Sequence, residues 1–441
     1  MKISPEAKRI AEIVEAAGGD IWVVGGACRD TVMGVEPRDF DFECFGISKQ
    51  AIVEACRASG IAAKTAGAAY GIVIATVDGV EVEVSVADGD IETAAARRDI
   101  TANSIYFRPA TGEWRDPFGG REDIAAGVIR ATPGFDRDPG RMMRVARFAA
   151  RFGWTVEDGT AEMIRRMAGR MAEVSIERIW PEFAKAFECE RPGDFIRAMK
   201  AIGIVGFWPE IAAMDGCEQD PIWHPEGDAF EHTACTMDAA AAICRRDGII
   251  GEDRIAFVAG AMVHDFGKPA TTVRTEDGRI ASPAHAEVGV AIAERFFRRC
   301  GIAGSQVAGR AIAMTAEHMA HIAGEPSPRS ARRMAVRIAA RGATIIDIAR
   351  IIEADASGRP PMPAGMPESG RAMVAMAEAV GVADAAPQRI VEGRHVMSFG
   401  VAAGPRVGRI VNAAFDAQVD GAFEDIDGGI AWVAERFAAI A

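Results

Sequence analysis

Three acidic residues occupy alternate positions in a short segment near the amino terminus: Asp39, Asp41 and Glu43, separated by Phe40 and Phe42. In a β-strand, alternate side chains point to one face, so Asp39 and Asp41 would lie about 6.6 Å apart. Two carboxylates at that distance repel by about 2.5 kcal/mol at an effective dielectric constant near 20. A cation between them would relieve the repulsion, and oxygen ligands of this kind suit Mg²⁺. The alternative is an edge strand with a solvated acidic face.

A pair of glycines precedes these carboxylates. Gly25 and Gly26 follow the apolar sequence DIWVV and come before an apparent helix that carries Arg29 and Asp30. Glycine lets the backbone approach a phosphate closely, and the amides at a helix N-terminus then face the anion. Arg29 could add a bidentate phosphate contact. A glycine pair alone is a weak signal, but G-G-x-x-R-D followed by D-x-D on a strand is much more specific.

The length and the hydrophobic content of the chain are sufficient for several packed cores. Its 441 residues are enough for two to four domains, and 49% of them are hydrophobic. A net charge of −13 argues against a generally basic nucleic-acid coat, although local arginine clusters could still hold RNA. Eight scattered cysteines without a CxxC pair fit a reduced compartment. With a charged amphipathic start and no long apolar run, the sequence predicts a soluble, cytoplasmic protein.

The elements that must position these residues change in kind along the chain. Up to about residue 130, strands and helices alternate, and YGIVIATVDGVEVEVSV predicts a hairpin around Asp78-Gly79. From GRMMRVARFAARFGW onward the apolar period becomes helical. The prediction is an α+β head with a mixed or antiparallel sheet, followed by an all-α body. The predicted domains are 1–134, 135–214, 215–357 and a helical tail at 358–441.

The ordered motifs resemble those of class II tRNA nucleotidyltransferases and bacterial poly(A) polymerases, members of the polymerase β-like nucleotidyltransferase superfamily. RRDITANSI is similar to the family's R-R-D-F-T-I-N-A motif. DRDPGRMMRVARFAARFGW resembles the helix with E-D-x-x-R, and SIERIWPEFAKAF resembles the neck motif. The resemblance implies a polymerase β-like head at 1–134 and, at 135–214, a helical neck that binds the nucleotide base and RNA.

The resemblance implies nucleotidyl transfer assisted by two Mg²⁺ ions, which hold the nucleotide phosphates and the RNA 3′-hydroxyl. Asp39 and Asp41 would be metal ligands, and Glu83 would be a third catalytic carboxylate, although Glu81 shares its face. Glu43 would be a solvated neighbour. The nucleotide-binding residues implied in the same way are Gly25, Gly26, Arg29, Arg98, Asp99, Asn103, Asp138, Arg141 and Arg144.

These residues would divide the nucleotide between them. Arg98 would lie near the triphosphate, while Asp99 and Asn103 would hydrogen-bond the ribose; the alternative for both is helix capping. Asp138 and Arg141 would form a fork that pairs with the base edge, because a carboxylate accepts hydrogen bonds and a guanidinium donates them.

Arg144 and Arg147, on the same helix as Arg141, would orient the fork or contact phosphate, or would be solvated helix charges. Two features depart from the family pattern. Arg137 stands where the family usually has Glu, and the stretch before RRD is only ADGDIETAAA, shorter than the flexible loop of full CCA-adding members.

A second group of residues resembles an HD domain, predicted at 215–357. Its candidate metal ligands are His232, His264, Asp265, His285 and His318, with His321 nearby in the sequence. Histidine and aspartate together suit Ni²⁺, Mn²⁺ or Zn²⁺, which would activate a water for phosphoester hydrolysis. Relatives with this arrangement tend to be phosphatases or cyclic phosphodiesterases. Met319 stands where the related pattern has Asp, so the last carboxylate ligand is expected to be missing.

The leading function is template-independent addition of C and/or A to the tRNA 3′ end, from CTP and ATP. The alternatives are poly(A) addition, or an HD phosphohydrolase with a vestigial transferase head. Arginine groups such as RSARRMAVRIAARG could contact the tRNA acceptor stem, or could be solvated helix faces balanced by acidic residues. Neither a membrane nor DNA is expected as a partner.

The short ADGDIETAAA stretch leads to a prediction about nucleotide use. The resemblance associates a shortened loop with enzymes that stop after adding CC. If the longer loop is needed to reposition the fork, we expect efficient incorporation of CTP and poor incorporation of ATP. The measurement is sequencing of the 3′ ends made on a truncated tRNA with CTP and ATP, separately and together. Robust addition of ATP to a tRNA ending in CC would contradict this expectation.

Overall fold

The computed structural model describes residues 1–37, 39–66 and 72–437, and its contacts separate two compact units. The first unit comprises Met1–Arg178 and Arg197–Phe207, and the second comprises Ile179–Ile196 and Trp208–Ala441. The finer division predicted from the sequence, with boundaries after residues 134, 214 and 357, stays a prediction.

The first unit is built around a mixed sheet, as predicted. Its strands are β1 (Asp20–Val24), β2 (Asp41–Phe45), β3 (Ala62–Ala66), β4 (Ile72–Val77), β5 (Val80–Val86), β6 (Tyr106–Phe107) and β7 (Trp114–Arg115). They lie in the order β3-β4-β5-β2-β1-β6-β7, and every neighbouring pair is antiparallel except the parallel pair β2 and β5. A separate pair of short parallel strands consists of β8 (Val128–Ile129) and β9 (Thr155–Val156).

The predicted hairpin between β4 and β5 is confirmed. Val77 pairs with Val80, and the two residues between them, Asp78 and Gly79, have φ values of 50° and 85°. Positive φ at both central residues is the signature of the tight turn that asparagine, aspartate and glycine favour, because it matches the twist of the strands.

Strand β2 begins later than the alternating acidic pattern predicted. Val24 pairs with Asp41 at the end of β1, and Gly25 then turns the chain away with φ of 78°. No part of β1 therefore remains opposite Asp39, which precedes the strand and is exposed. Within β2 the alternation holds, since Phe42 is buried in the core and Asp41 points to the other face.

Helices cover the sheet and continue into the neck. They are α1 (Pro5–Ala16), α2 (Gly26–Val32), α3 (Lys49–Ala58), α4 (Ile91–Ala96), α5 (Gly120–Ala126), α6 (Arg141–Phe152), α7 (Asp158–Met167), α8 (Ile176–Phe187) and α9 (Gly193–Ala201). Helix α1 shows why they form: the Ser4 side chain caps its first turn, and Ile10 and Val14 recur at helical spacing to enter the core. The division between the units falls within α8 and α9.

The second unit is almost entirely helical. Its helices are α10 (Pro209–Ala212), α11 (Ala229–Asp247), α12 (Gly251–Val263), α13 (Lys268–Thr271), α14 (His285–Arg299), α15 (Gln306–Glu317), α16 (Pro328–Ala339), α17 (Ile345–Ser357), α18 (Glu368–Ala379), α19 (Gly393–Met397), α20 (Pro405–Val419) and α21 (Ile426–Phe437). A small antiparallel ribbon joins β10 (Val273–Arg274) to β11 (Ile280–Ala281). Helix α12 packs against α11, α15 and α17, and α14 packs against α15; the histidine-rich centre lies among these five helices.

The carboxy-terminal helices have a small core of their own, which includes Val396, Ile410 and Val433. In the part of the chain that the structure describes, no helix has both the length and the apolar character needed to span a membrane. The cytoplasmic location stays a prediction.

Candidate active site and metal centre

At the turn after β1, a glycine lies next to a positively charged side chain and a carboxylate: Gly25, Arg98 and Asp41. A Cβ atom at Gly25 would lie 3.6 Å from Arg98 Nη1 and 3.7 Å from Asp41 Oδ2. Glycine at this position therefore keeps open the space between the two charged groups, and its φ of 78° is one that other residues rarely adopt. Gly26 begins α2 directly afterwards. The arrangement is suited to an anion held with a cation.

The carboxylates at this turn come from two parallel strands. Asp41 on β2 is level with Glu83 on β5, and side chains level in this way share a face of the sheet. Glu81 lies two residues earlier on β5, opposite Thr76 of β4, and is not level with a residue of β2. Burial raises the pKa of the Asp41 carboxyl, Arg98 opposes the rise, and the charge of Asp39 adds to it. A bound cation would stabilise the ionised form of Asp41.

Glu43 is not the solvated neighbour that the sequence suggested. Its side chain is 13% exposed, and Oε2 accepts hydrogen bonds from Arg98 Nη2 at 3.1 Å and the Tyr106 hydroxyl at 2.5 Å. Burial alone would lower the pKa of the Arg98 guanidinium, but the Glu43 carboxylate and Tyr106 outweigh burial and raise that pKa. The expectation failed because Tyr106 and Arg98 reach Glu43 from distant parts of the sequence.

Asp99 and Asn103 are buried in a hydrogen-bonded network. Asp99 Oδ1 accepts from the Ile100 backbone N–H at 2.8 Å and from Asn103 Nδ2 at 2.9 Å, while Oδ2 accepts from Arg144 Nε at 2.8 Å. Burial raises the pKa of the Asp99 carboxyl, but Arg144 and these hydrogen bonds outweigh it, so the pKa is lowered overall. The short 3-10 helix that follows, Thr101–Asn103, begins without a side-chain cap, so helix capping does not account for these two residues.

Arg29 also belongs to this network, and its guanidinium is not available for a bidentate contact with a phosphate. Its Nη1 donates to Asn103 Oδ1 at 2.7 Å, and its Nε and Nη2 donate to Asp30 Oδ1 at 2.9 and 2.6 Å. The guanidinium lies 4.8 Å from the centre of the Phe152 ring, and the residue is only 4% exposed. The expected direct phosphate contact is thus corrected, because α6 covers the guanidinium and each of its nitrogens already donates to a protein acceptor.

The two members of the expected base fork are engaged with other parts of the first unit. Asp138 accepts from the Gly140 backbone N–H at 3.0 Å and from Arg178 Nη2 at 2.7 Å. Arg141 donates to the carbonyls of Gly134, at 2.7 Å, and Arg97. Recognition of a base edge would require these groups to exchange partners, and the fork stays a prediction.

The structure bears on the alternatives given for two sets of arginines. Arg147 is buried against the Phe148 ring at 4.5 Å, so it is not a solvated helix charge. In RSARRMAVRIAARG, each arginine has a partner within the second unit: Arg329 and Arg333 bind Asp420, Arg332 donates to the Val419 carbonyl, Arg337 binds Glu317 and Arg341 binds Glu294. Four of these five arginines pair with acidic side chains, which fits the alternative of a solvated helix face, and contact with the tRNA acceptor stem stays a prediction.

The second unit brings all five predicted histidine and aspartate ligands together. They come from α11, the ends of α12 and α15, and the start of α14, and all are buried. Asp265 lies between two pairs: its Oδ2 is 3.5 Å from His232 Nε2 and 3.1 Å from His264 Nε2, and its Oδ1 is 3.2 Å from His285 Nε2 and 3.7 Å from His318 Nε2. His321 instead contacts the His318 carbonyl through Nδ1.

The hydrogen bonds of three histidines leave their inner nitrogens available as ligands. His264, His285 and His318 each place Nδ1 2.7 to 2.8 Å from the backbone carbonyl three residues earlier. Donation through Nδ1–H leaves a lone pair on Nε2, which is the usual orientation of metal-binding histidine. The two Nε2 atoms of His285 and His318 lie 3.0 Å apart, and burial lowers the pKa of His318 to about 3. Facing lone pairs of this kind favour a cation between them.

The carboxylate that Met319 seemed to leave missing comes from α17. Asp355 Oδ1 lies 3.1 Å from His232 Nε2, and Asp355 is buried. Asp355 is thus a candidate for the carboxylate ligand that was expected to be missing. It lies 37 positions after His318, and only the packing of α17 on α11 brings it in. The signal available in the sequence is the acidic stretch EADASGR at 353–359, which places Asp355 on α17.

The donor set fits divalent metal ions. His232, His264 and Asp355 form one group whose ligand atoms all lie within 4.8 Å of one another, and Asp265, His285 and His318 form another. The His264 Nε2 atom is buried without a hydrogen-bond partner, which is costly unless a cation is bound. Lys268 lies 2.5 Å from Asp265 Oδ2. Glu226, also missed from the sequence, lies 2.7 Å from His232 Nδ1 and can orient that ring.

A cavity of about 350 Å³ opens onto this centre. Asp265, His285, His318 and Asp355 line its inner part, together with the cations Lys268 and Arg359. Positive side chains beside candidate metal ligands suit a phosphate group.

Three family models match successive parts of the chain. A model described as the poly A polymerase head domain matches residues 21–130, one described as a probable RNA and SrmB-binding site of polymerase A matches 153–214, and one described as an HD domain matches 229–355. The resemblance inferred from the motifs is confirmed.

Relatives and solved structures agree with these matches. A multifunctional CCA protein of Xanthomonas oryzae pv. oryzae is 32% identical over 368 residues, which cover 77% of this chain and 85% of that protein. A multifunctional CCA protein of Halorhodospira halophila is 38% identical over 216 residues, or 47% of this chain and 49% of that protein. The CCA-adding enzyme of Bacillus stearothermophilus in complex with CTP has a TM-score of 0.60 at 19% identity and covers 99% of both chains, so it shares the fold. The chain therefore belongs to the family of multifunctional CCA proteins.

Proposed function

We propose that this chain adds C and A to the 3′ end of tRNA without a nucleic-acid template, using CTP, ATP and magnesium. The observation that carries the proposal is the meeting of Asp41 and Arg98 at the Gly25 turn, in a unit matched by a polymerase head model. The family membership supports the same reaction. Solved structures of the same fold include CCA-adding enzymes in complex with ATP, with CTP and with tRNA, although their identity to this chain is only 15 to 19%.

In this proposal the head residues prepare the nucleotide for attack by the tRNA 3′-hydroxyl. Asp41 and Glu83, with Asp39 from the preceding loop, would hold two magnesium ions. These ions supply activation of the attacking oxygen and neutralisation of the leaving pyrophosphate. Gly25 leaves room for the phosphates, and Arg98, fixed by Glu43, presents a positive charge to them. The site thus needs the Asp41 and Glu83 carboxylates to be ionised and Arg98 not to form an ion pair with either of them.

Selection of the nucleotide falls to the residues around Asp99. A carboxylate has about four acceptor positions, and Asp99 already accepts from Ile100, Asn103 and both Arg144 Nε and Nη2. A ribose hydroxyl would therefore displace a donor from Asp99 or bind the remaining amide N–H of Asn103. Asp138 and Arg141 would read the base.

The alternatives are less well supported. The names of the relatives favour CCA addition over poly(A) addition, and the completeness of the Gly25 turn argues against a vestigial head. They also favour the full CCA end over the CC-only outcome that the short ADGDIETAAA segment predicts. In the structure that segment contains the whole of helix α4, capped by Asp90, and 3′-end sequencing decides between the two outcomes.

A second function, hydrolysis of a phosphoester, is favoured by the buried ligand set of the second unit. His232, His264, Asp265, His285 and His318, completed by Asp355, would hold Ni²⁺, Mn²⁺ or Zn²⁺. The metal would supply an activated water. Lys268 and Arg359 would bind the phosphate in the cavity, since both line it.

The first prediction of this proposal separates two neighbouring glutamates of β5. Glu83→Gln should lower the rate of CTP incorporation into tRNA by about a hundredfold or more, since loss of a metal-binding carboxylate costs several kcal/mol in the transition state. Glu81→Gln, the matched control, should change the rate less than twofold because Glu81 is not level with β2. Equal rates for the two variants in single-turnover assays would contradict this assignment.

The second prediction concerns the ligand recovered from α17. Asp355→Asn should weaken the binding of Mn²⁺ to the chelator-treated protein by about tenfold or more, measured by isothermal titration calorimetry. Asp384→Asn, an exposed site of the same chemistry, is the control. Identical Mn²⁺ affinity and stoichiometry in wild type and Asp355→Asn would show that Asp355 is not a ligand.

The third prediction separates the two functions. His264→Ala should abolish hydrolysis of bis(p-nitrophenyl) phosphate in Mn²⁺ or Ni²⁺, because it removes a ligand from the centre, while CTP incorporation stays within twofold of wild type. Asp41→Asn should have the reverse effect. If His264→Ala retains full hydrolysis, the histidine centre is not the hydrolytic site.

A further inference from the structure

Glu43, the third acidic residue of the β2 motif, pairs with Arg98, although Glu43 is not a proposed metal ligand. Glu43 holds Arg98 through Nη2, while the other terminal nitrogen of the same guanidinium, Nη1, faces the Gly25 turn. A Cβ atom at Gly25 would also lie 3.7 Å from Asp41 Oδ2. The guanidinium thus binds one carboxylate and lies near a second, two residues away on the same strand.

These two carboxylates compete for one cation. Among the described residues, Arg98 forms an ion pair with Glu43 but none with Asp41, although the charge of Arg98 affects the pKa of Asp41. An ion pair between Arg98 and Asp41 would occupy the Asp41 oxygen that a metal ion needs. It would also withdraw the guanidinium from the phosphate side of the turn.

Tyr106 strengthens the hold of Glu43. Its hydroxyl donates to the Oε2 atom that also receives Arg98, and the Tyr106 side chain is completely buried. Because Tyr106 lies on β6 and Glu43 on β2, on the two sides of β1, the contact fixes the Glu43 carboxylate relative to the sheet. A carboxylate held in this way can retain a guanidinium at a defined distance from Asp41.

We propose that Glu43, fixed by Tyr106, is a positioning residue that keeps Arg98 off Asp41, so that Asp41 stays open to metal while Arg98 faces the nucleotide phosphates. This inference rests on the proposed transfer function of the head. It assigns a role to the acidic residue that the sequence pattern suggested was merely solvated.

The test measures CTP binding in the presence of a chelator, where no metal contributes. By charge alone, Glu43→Gln would tighten CTP binding, because it removes a negative charge near the phosphates. We expect the opposite: CTP should bind at least about fivefold more weakly, as measured by isothermal titration calorimetry, because Arg98 shifts to Asp41. In an Asp41→Asn background the same Glu43→Gln change should have less than a twofold effect, because the competing carboxylate is gone.

A second readout is the Mg²⁺ concentration that gives half-maximal CTP incorporation. Glu43→Gln should raise it at least fivefold, with a near-normal rate at saturating Mg²⁺. Tyr106→Phe, which removes only the hydroxyl, should shift both quantities in the same direction by a smaller factor, and it keeps the test available if Glu43→Gln does not fold. Glu92→Gln, exposed on α4, is the matched control.

The outcomes separate this inference from the proposed function. Weaker metal-free CTP binding that Asp41→Asn abolishes supports the positioning role. Unchanged or tighter binding in Glu43→Gln, or a loss that persists in the Asp41→Asn background, overturns it. If the wild-type protein incorporates CTP while either of those results is found, only the role of Glu43 fails; if the wild type neither binds nor incorporates CTP, the proposed function itself fails.

Discussion

The head depends on keeping opposite charges close together without letting them neutralise each other. Asp41 and Arg98 both face the Gly25 turn, and a site for a metal-bound triphosphate needs both of them free. Water would separate such charges at little cost, but in a partly buried site the attraction between them is several times stronger. The pairing of Arg98 with Glu43 and Tyr106 meets this constraint, and the absence of a side chain at Gly25 preserves the space.

The second unit also brings polar groups close together in a buried site, but most of these groups are histidine side chains. Four histidines and two aspartates are buried together, and burial of so many polar atoms is costly unless a cation binds them. The backbone carbonyls that accept from Nδ1 set the orientation of three of the rings, and Asp265 lies between the two candidate metal groups. The two units thus offer separate candidate sites for divalent metal, one built from carboxylates and one built mainly from imidazoles.

Local signals in the sequence predicted much of this organisation. The hairpin at Asp78-Gly79, the glycine turn and the helical body follow from residue types at short spacing, and the structure bears them out. The histidine ligands were also evident, because a series of histidines around His-Asp is rare by chance. Motif order was sufficient to identify the family.

What the sequence did not predict depends on contacts between distant residues. Glu43 is only partly exposed because Tyr106, 63 positions later, reaches it across the sheet, and Asp355 joins the candidate metal centre only through the packing of α17. The sequence predicts a phosphate contact for Arg29, but in the structure α6 covers its guanidinium. Alternation within a strand could not show where β2 begins, since the turn at Gly25 decides how far its partner extends.

We propose that Asp41 and Glu83 hold metal against a triphosphate contacted by Arg98. Anomalous scattering from crystals soaked with Mn²⁺ and a non-hydrolysable CTP analogue tests this arrangement directly. We expect manganese peaks within coordination distance of Asp41 and Glu83, with phosphate oxygens next to Arg98 and the Gly25 turn. Manganese confined to the histidine centre, with Asp41 facing away from the bound nucleotide, would contradict it.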